Sequence, residues 1–193
     1  MGGLQSVELV VALILKLKPE SFLDIGIGSG KWGFLFREYT DIWHGRTLTC
    51  QWKSQIDGIE IFSPIVQDYQ RAMYSRVFVG NAYTLVDELH SYDFIWAFDL
   101  LSAFEKQKGF EMIRKSREKT GILMAVWQTL DEKNPLKSIS NNPFDAKVSS
   151  WSLDDFRQAA FRYYKTFDNP DGSQELLALY TEEELNGLGL LEF

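Results

Sequence analysis

A run of alternate glycines near residue 28 constrains this chain more than any other feature of its sequence. The segment Phe22–Gly33 reads FLDIGIGSGKWG, an apolar stretch that breaks into Gly26, Gly28 and Gly30 and resumes with helix-compatible residues. This pattern predicts a strand, a tight turn and the start of a helix. Glycines let the backbone turn sharply and approach a ligand, and the unpaired N–H groups of a helix start favour anionic or polar groups. The segment therefore predicts a ligand pocket.

Spacing separates the nucleotide sites that use such a loop. A P-loop requires Gly-x-x-x-x-Gly-Lys-Ser/Thr, but Ile25 lies five residues before Gly30 and Trp32 follows Lys31. Because both ends of the motif fail, hydrolysis of ATP or GTP is disfavoured.

The dinucleotide fingerprint Gly-x-Gly-x-x-Gly does fit Gly28, Gly30 and Gly33. Its partner acid is expected about 20 residues later, at the end of the next strand. The next predicted strand ends in Glu60, well beyond that spacing. A dinucleotide-dependent oxidoreductase therefore stays an alternative, although an acid at the end of a second parallel strand is also placed to accept both hydroxyls of a ribose.

Strand-type and helix-type segments alternate along the chain. The alternation predicts a doubly wound α/β fold, in which helices cover both faces of a mostly parallel sheet. The predicted strands are 21–26, 55–61, 76–80, 92–99, 121–127, 161–167 and 175–180, with a turn at 169–172 before the last one. The predicted helices are 4–17, 31–40, one that Ser63 and Pro64 open and that runs to 75, 107–118, and one that begins at Ser152.

The first motif resembles that of class I methyltransferases that use S-adenosylmethionine, which reads Asp/Glu-x-Gly-x-Gly-x-Gly. Asp24, Gly26, Gly28 and Gly30 match it in full. The resemblance implies a seven-stranded Rossmann-like sheet closed by an antiparallel hairpin. It also implies S-adenosylmethionine as cofactor, with the loop at its methionine part, Glu60 at the ribose and Phe62 against the adenine. The full set of implied cofactor-binding residues is Asp24, Gly26, Gly28, Gly30, Glu60, Ile61, Phe62, Asn81, Ala82 and Asp99.

The later motifs depart from the family's pattern. Asn81 replaces the acid of Gly-Asp-Ala, which in the family commonly contacts the adenine amino group; its carbonyl oxygen can still accept a hydrogen bond, but it lacks the negative charge. After the fourth predicted strand, Ser102 and Ala103 stand where a set of small-molecule methyltransferases has Glu-His. In the segment 142–151, Lys147 takes the place of another frequent histidine.

Methyl transfer does not require a general base, because the sulfonium cofactor is already activated and much of the task is positioning. The missing histidines favour acceptors that are nucleophilic unaided, such as a carboxylate, a thiolate or a neutral amine. A catalytically silent protein that binds S-adenosylmethionine is the alternative. The residues predicted to line the acceptor space are Asp99, Ser102, Trp127, Gln128 and Asn142, the last within a long loop over 128–150.

Composition limits the remaining function classes. The net charge of −7 and the pI near 4.9 oppose nucleic-acid binding, which depends on Lys and Arg contacts to phosphates. One cysteine and two histidines are poor material for a disulfide or a metal site. The apolar run 10–15 is short of the about 20 residues that span a bilayer. We expect a single cytoplasmic domain over 1–193 with a small-molecule substrate and no metal; homodimerisation through the aromatic loop 41–54 or the tail 188–193 is left open.

Overall fold

Helices and strands alternate along the chain in the computed structural model, which describes residues 4–130, 142–144, 146–168 and 174–193. The helices are α1 (Leu4–Leu17), α2 (Lys31–Thr40), α3 (Asp68–Met73), α4 (Ala82–Glu88), α5 (Lys106–Glu118) and α6 (Leu153–Gln158). The strands are β1 (Ser21–Ile25), β2 (Gln55–Glu60), β3 (Arg76–Val79), β4 (Tyr92–Phe98), β5 (Thr120–Leu130), β6 (Tyr163–Asp168), β7 (Gln174–Thr181) and β8 (Leu191–Glu192). Among the described residues, no helix combines the length and the apolar character needed to cross a membrane.

All strands of the described residues form one sheet in the order β3-β2-β1-β4-β5-β7-β6-β8. Neighbours from β3 to β5 are parallel, whereas β7 runs antiparallel to both β5 and β6. This confirms the predicted doubly wound sheet and its antiparallel hairpin. The carboxyl ends of β1, β2, β4 and β5 therefore meet at one edge, where open α/β sheets bind their ligands.

Successive side chains of the central strands point to opposite faces of the sheet, so both faces carry a buried layer. One layer packs against α4, α5 and α6, and includes Leu23, Ile25, Ile95, Met124, Val126, Met112 and Phe156. The other packs against α1 and α2, and includes Leu13, Phe22, Trp32, Phe36, Phe94, Trp96 and Trp127. Burial on both faces explains why β4 and β5 read as continuous apolar runs.

The structure corrects three details of the prediction. Ser63 and Pro64 form a 3₁₀ turn rather than opening a helix; α3 begins five residues later, where the Gln70 side chain accepts a hydrogen bond from the Gln67 N–H. The short helix α4 after Asn81 was not predicted. An eighth strand, β8, pairs with β6 through two residues of the tail. The predicted turn 169–172 lies outside the described residues, as do 131–141 and 145 of the predicted loop.

A buried ion pair fixes the loop that follows α2. Arg37 Nη1 lies 2.5 Å from Asp41 Oδ2, and both side chains are at most 1% exposed. Arg37 also donates to the carbonyl oxygens of Ser54 and Met73, and Arg46 donates to Asp41 Oδ1. The pair thus joins α2, which follows the glycine loop, to the start of β2 and the end of α3.

We expect Arg37→Met to lower the free energy of unfolding by about 2 kcal/mol or more, because the buried Asp41 carboxylate loses one of its two guanidinium partners and the Ser54 and Met73 carbonyls lose a charged donor. Arg114→Met is the matched control, since Arg114 and Glu118 have the same spacing and the same 2.5 Å distance but are at least 60% exposed. Its loss is expected below about 1 kcal/mol. Urea denaturation measures both, and equal losses would contradict a special role for the buried pair.

Candidate functional site

The glycine loop between β1 and α2 requires the conformation that glycine supplies. Gly26, Gly28 and Gly30 have φ angles of +84°, +52° and +81°, which side chains strongly disfavour. The loop is anchored by hydrogen bonds from the Gly26 N–H to the Ile59 carbonyl (2.9 Å) and from the Gly30 N–H to the Ile27 carbonyl (2.8 Å). It therefore sits against the carboxyl end of β2, at the edge where a ligand is expected.

The glycines of this region serve two purposes. A Cβ on Gly26 or Gly28 would find no neighbouring atom closer than 3.9 Å, and the atom nearest to that of Gly26 is the Phe98 carbonyl oxygen at the end of β4. A Cβ on Gly33 would instead lie 2.2 Å from the Tyr74 ring. The first two glycines thus leave space beside the ends of β1 and β4, whereas Gly33 allows α2 to pack on Tyr74.

Glu60 ties the loop to the end of β2. Its carboxylate accepts hydrogen bonds from the Gly28 N–H (3.1 Å) and the Phe62 N–H (3.0 Å), one on each oxygen. The side chain is buried, and each carboxylate oxygen keeps a further lone pair. This arrangement presents two parallel acceptors next to the glycine loop, which suits a vicinal diol.

Two side chains of the α3 region support the loop, and the sequence analysis missed both. Gln70 Nε2 donates to the Gly28 carbonyl (2.5 Å), and the Tyr74 hydroxyl donates to Asp24 Oδ2 (2.6 Å). Asp24 is fully buried, so the structure places its carboxyl group beneath the loop. No sequence pattern marks contacts across such separations.

Burial raises the pKa of Asp24 to about 7, and the hydrogen bonds from Tyr74 and the Gly33 N–H limit that rise. Its Oδ1 is buried without a hydrogen-bond partner. The support beneath the loop therefore changes charge near neutral pH.

Side chains from three segments meet at the ends of β4 and β5. Asp99 adopts a φ of +45°, an uncommon conformation that is often found at functional sites. Its Oδ1 accepts from Gln128 Nε2 (2.8 Å) and the Thr129 N–H (3.2 Å), and Lys147 Nζ lies 3.2 Å from its Oδ2. Gln128 is fully buried, and its Oε1 has no hydrogen-bond partner.

The other residues predicted to line the acceptor space have different surroundings. Trp127 is buried between the rings of Phe98 and Phe167, so its side chain packs in the core. The Ser102 carbonyl accepts hydrogen bonds from the N–H groups of Val148 and Ser149, which holds the segment that carries Lys147.

Asn142 forms a local turn, because its Oδ1 accepts from the Phe144 N–H. Within the described part of the chain, no group of three His, Cys, Asp or Glu side chains is arranged to hold a metal ion.

The residues predicted to contact the adenine lie after β2 and β3. Asn81 is exposed and caps α4, with its Oδ1 accepting from the Tyr83 N–H (3.0 Å). Ala82 is buried in the first turn of α4, and Ile61 and Phe62 are half-buried after the end of β2. The capping bond explains the asparagine in structural terms; its contact with a ligand stays a prediction.

The raised pKa of Asp24 predicts a pH-dependent stability. The folded chain holds a proton on Asp24 between about pH 4 and about pH 7 that the unfolded chain releases, so this group lowers stability as pH rises through that window. Asp24→Asn removes this titrating group. As pH rises through the window, the variant should therefore gain stability relative to wild type, by at most about 1.4 kcal/mol in the free energy of unfolding per pH unit. Urea denaturation across that range tests this.

Tyr74→Phe is the companion variant, because losing the hydroxyl donor raises the pKa of Asp24 further and extends the decline in stability to higher pH. Parallel pH profiles for wild type and Asp24→Asn would contradict the assignment.

Comparison with solved structures identifies proteins that share this fold. No protein-family model matches the chain, and no curated protein matches its sequence. Among solved structures, a candidate O-methyltransferase from Nostoc punctiforme aligns at 16% identity with a TM-score of 0.57, over 90% of this chain and 55% of the other. An O-methyltransferase family protein from Burkholderia thailandensis aligns at 12% identity with a TM-score of 0.59, over 93% and 56%.

Magnesium protoporphyrin IX methyltransferase from Synechocystis, with S-adenosylhomocysteine bound, aligns at 13% identity with a TM-score of 0.63, over 92% and 83%. The chain thus spans little more than half the length of the first two neighbours. At these identities the likeness concerns the fold. Together with the strand order β3-β2-β1-β4-β5-β7-β6, it shows that the chain has the class I S-adenosylmethionine-dependent methyltransferase fold.

Proposed function

We propose that the protein is a methyltransferase that uses S-adenosylmethionine to methylate a small-molecule acceptor. The observation that carries the proposal is the Glu60 carboxylate, which accepts hydrogen bonds from Gly28 and Phe62 where β1 and β2 end. At that position the glycine loop lies next to a carboxylate that can accept hydrogen bonds from a vicinal diol. The fold that the solved methyltransferases share with this chain supports the same reading.

The residues of the crevice fit such a cofactor. The space beside Gly26 and Gly28, which side chains there would fill, would take its methionine part. Glu60 would accept the ribose hydroxyls, and Phe62 would cover the adenine. When bound, the cofactor supplies a methyl group already activated by the sulfonium.

On the acceptor side, the described residues would position the methyl acceptor rather than remove a proton from it. Asp99 accepts hydrogen bonds from Gln128 and the Thr129 N–H and pairs with Lys147, so its carboxylate is held by the protein's own groups. The chain's histidines, 44 and 90, belong to other regions, after α2 and before β4. The proposed acceptor is therefore nucleophilic without a base.

The dinucleotide alternative is less well supported by the topology. Dinucleotide-binding sheets have the order 3-2-1-4-5-6, whereas here the antiparallel β7 lies between β5 and β6. Beside Gly33, the last glycine of that fingerprint, the Tyr74 ring fills the space that a side chain would take. The silent-binder alternative shares the cofactor site and differs only in turnover. A single cytoplasmic domain, a small-molecule partner and a homodimer remain predictions from the sequence.

Calorimetric titration tests the cofactor class. We expect S-adenosylmethionine and S-adenosylhomocysteine to bind with micromolar affinity and NADH not to bind. Glu60→Ala should weaken adenosyl binding by about tenfold or more, since it removes charge-assisted hydrogen bonds. Asp93→Ala is the matched control, because the Asp93 carboxylate also accepts from two backbone N–H groups, those of Glu20 and Ser21, at the opposite edge of the sheet.

A second pair of variants tests the glycine loop. Gly28→Arg fills the crevice and should abolish binding. Gly45→Arg introduces a side chain at a similarly left-handed glycine, with φ +78° and open space around it, in the loop after α2. It should strain the backbone and leave cofactor affinity unchanged. Unaltered affinity in both Gly28→Arg and Glu60→Ala would refute the proposed site.

A further inference from the structure

Asp99, Gln128 and Lys147 form a cluster separate from the glycine loop and Glu60, which suffice for the proposed cofactor site. It lies at the ends of β4 and β5, and the carbonyl oxygen of Phe98, which precedes Asp99, lies 3.9 Å from the position that a Cβ on Gly26 would take. The cluster therefore borders the crevice proposed for the cofactor. The positive φ of Asp99 and the burial of Gln128 indicate that the fold holds these side chains in fixed positions, unlike side chains on a solvated surface.

Gln128 leaves an acceptor unused. Its Nε2 donates to Asp99, which fixes the orientation of the amide because a carboxylate only accepts. Its Oε1 is consequently turned away from Asp99, and it is buried without a partner. An unsatisfied buried oxygen costs about 1–3 kcal/mol, and a ligand with an O–H or N–H group would recover that cost.

Lys147 supplies the complementary charge. Its side chain is 15% exposed and its ammonium carries three N–H donors, whereas the ion pair with Asp99 Oδ2 at 3.2 Å engages it on one side. The charge of Asp99 is already balanced by Lys147 and by two N–H donors. A positively charged cofactor beside this neutral pair favours an anionic acceptor.

We propose that the acceptor is a small carboxylic acid that also carries a hydroxyl or N–H donor, and that its carboxylate is the group methylated. Lys147 binds the carboxylate, and Gln128 Oε1 accepts from the neighbouring donor. This inference rests on the proposed function and adds the class of acceptor to it.

The positive charge of the cofactor selects among acceptors that need no base. At neutral pH an amine is mostly protonated, and its positive charge is unfavourable beside the positively charged cofactor, whereas a thiol with a pKa of about 8.5 is mostly un-ionised. A carboxylate is fully ionised. One of its oxygens forms a bond to the methyl carbon as the sulfur–carbon bond breaks, giving a methyl ester and S-adenosylhomocysteine with no proton transferred.

The chemistry of the product provides the test. The protein is incubated with tritiated-methyl S-adenosylmethionine and a small-molecule extract of the cells that make it, and the products are treated with mild alkali. Methyl esters release labelled methanol, whereas methyl ethers, amines and thioethers keep the label. We expect an alkali-labile product whose formation falls about tenfold or more in Lys147→Met and recovers in part in Lys147→Arg.

Lys115→Met is the matched control. The Lys115 side chain is 14% exposed and lies 2.5 Å from Asp87, but it joins α4 to α5 away from the crevice. It should retain ester formation. Calorimetry should give the same affinity for S-adenosylmethionine in all these variants.

Three results would overturn the inference while leaving the proposed function distinguishable. An alkali-stable product would show a methyltransferase with another acceptor. Intact cofactor binding without any labelled product would favour a silent binder. Loss of cofactor affinity in Lys147→Met would show that Lys147 contributes to cofactor binding rather than to acceptor binding. Absence of cofactor binding in the wild type would reject the proposed function itself.

Discussion

The hydrogen bond from the Gly28 N–H to the Glu60 carboxylate is the contact on which the rest of the site depends. It joins a loop that only glycines can form to the end of the neighbouring strand, so the two halves of the crevice keep one spacing. A backbone donor and a charged acceptor make this bond stronger than one between neutral groups. Gln70 holds the same glycine from its carbonyl side, which leaves the loop little freedom to shift.

The layer beneath the loop shows how that rigidity is obtained. Gly33 has no side chain, so Tyr74 packs against α2 closely enough for its hydroxyl to reach Asp24. Burial favours the neutral form of this acid, and the fold therefore supports the loop without a fully desolvated charge at acidic pH. The Arg37–Asp41 pair then fixes α2 against the end of α3. Apart from the ion pair itself, which lies within one helical turn, these contacts join segments that are distant in the sequence.

That distance decides what the sequence could predict. The glycine spacing and the acid at the end of β2 are local patterns, and together with the alternation of strands and helices they were sufficient to predict the fold. The partner of Asp24 is 50 residues away, and that of Asp99 is 48 residues away, so neither contact leaves a local signal. Trp127 shows a different limit: in a strand buried on both faces, apolar character does not tell which side chains face the crevice. Helix α4 and strand β8 were missed because they are too short to show a period.

The two halves of the site consequently differ in how they are built. The proposed cofactor half consists of backbone groups and one carboxylate, all held by β1 and β2. The proposed acceptor half consists of side chains from β5, the end of β4 and the segment after 146, which the Ser102 carbonyl holds in place. A lysine in the place of a histidine removes a base but adds a fixed positive charge, so it changes which acceptor can be held rather than removing the means to hold one. The replacement that looks like a loss in the sequence is therefore, in the structure, part of an ion pair with Asp99 at the end of β4.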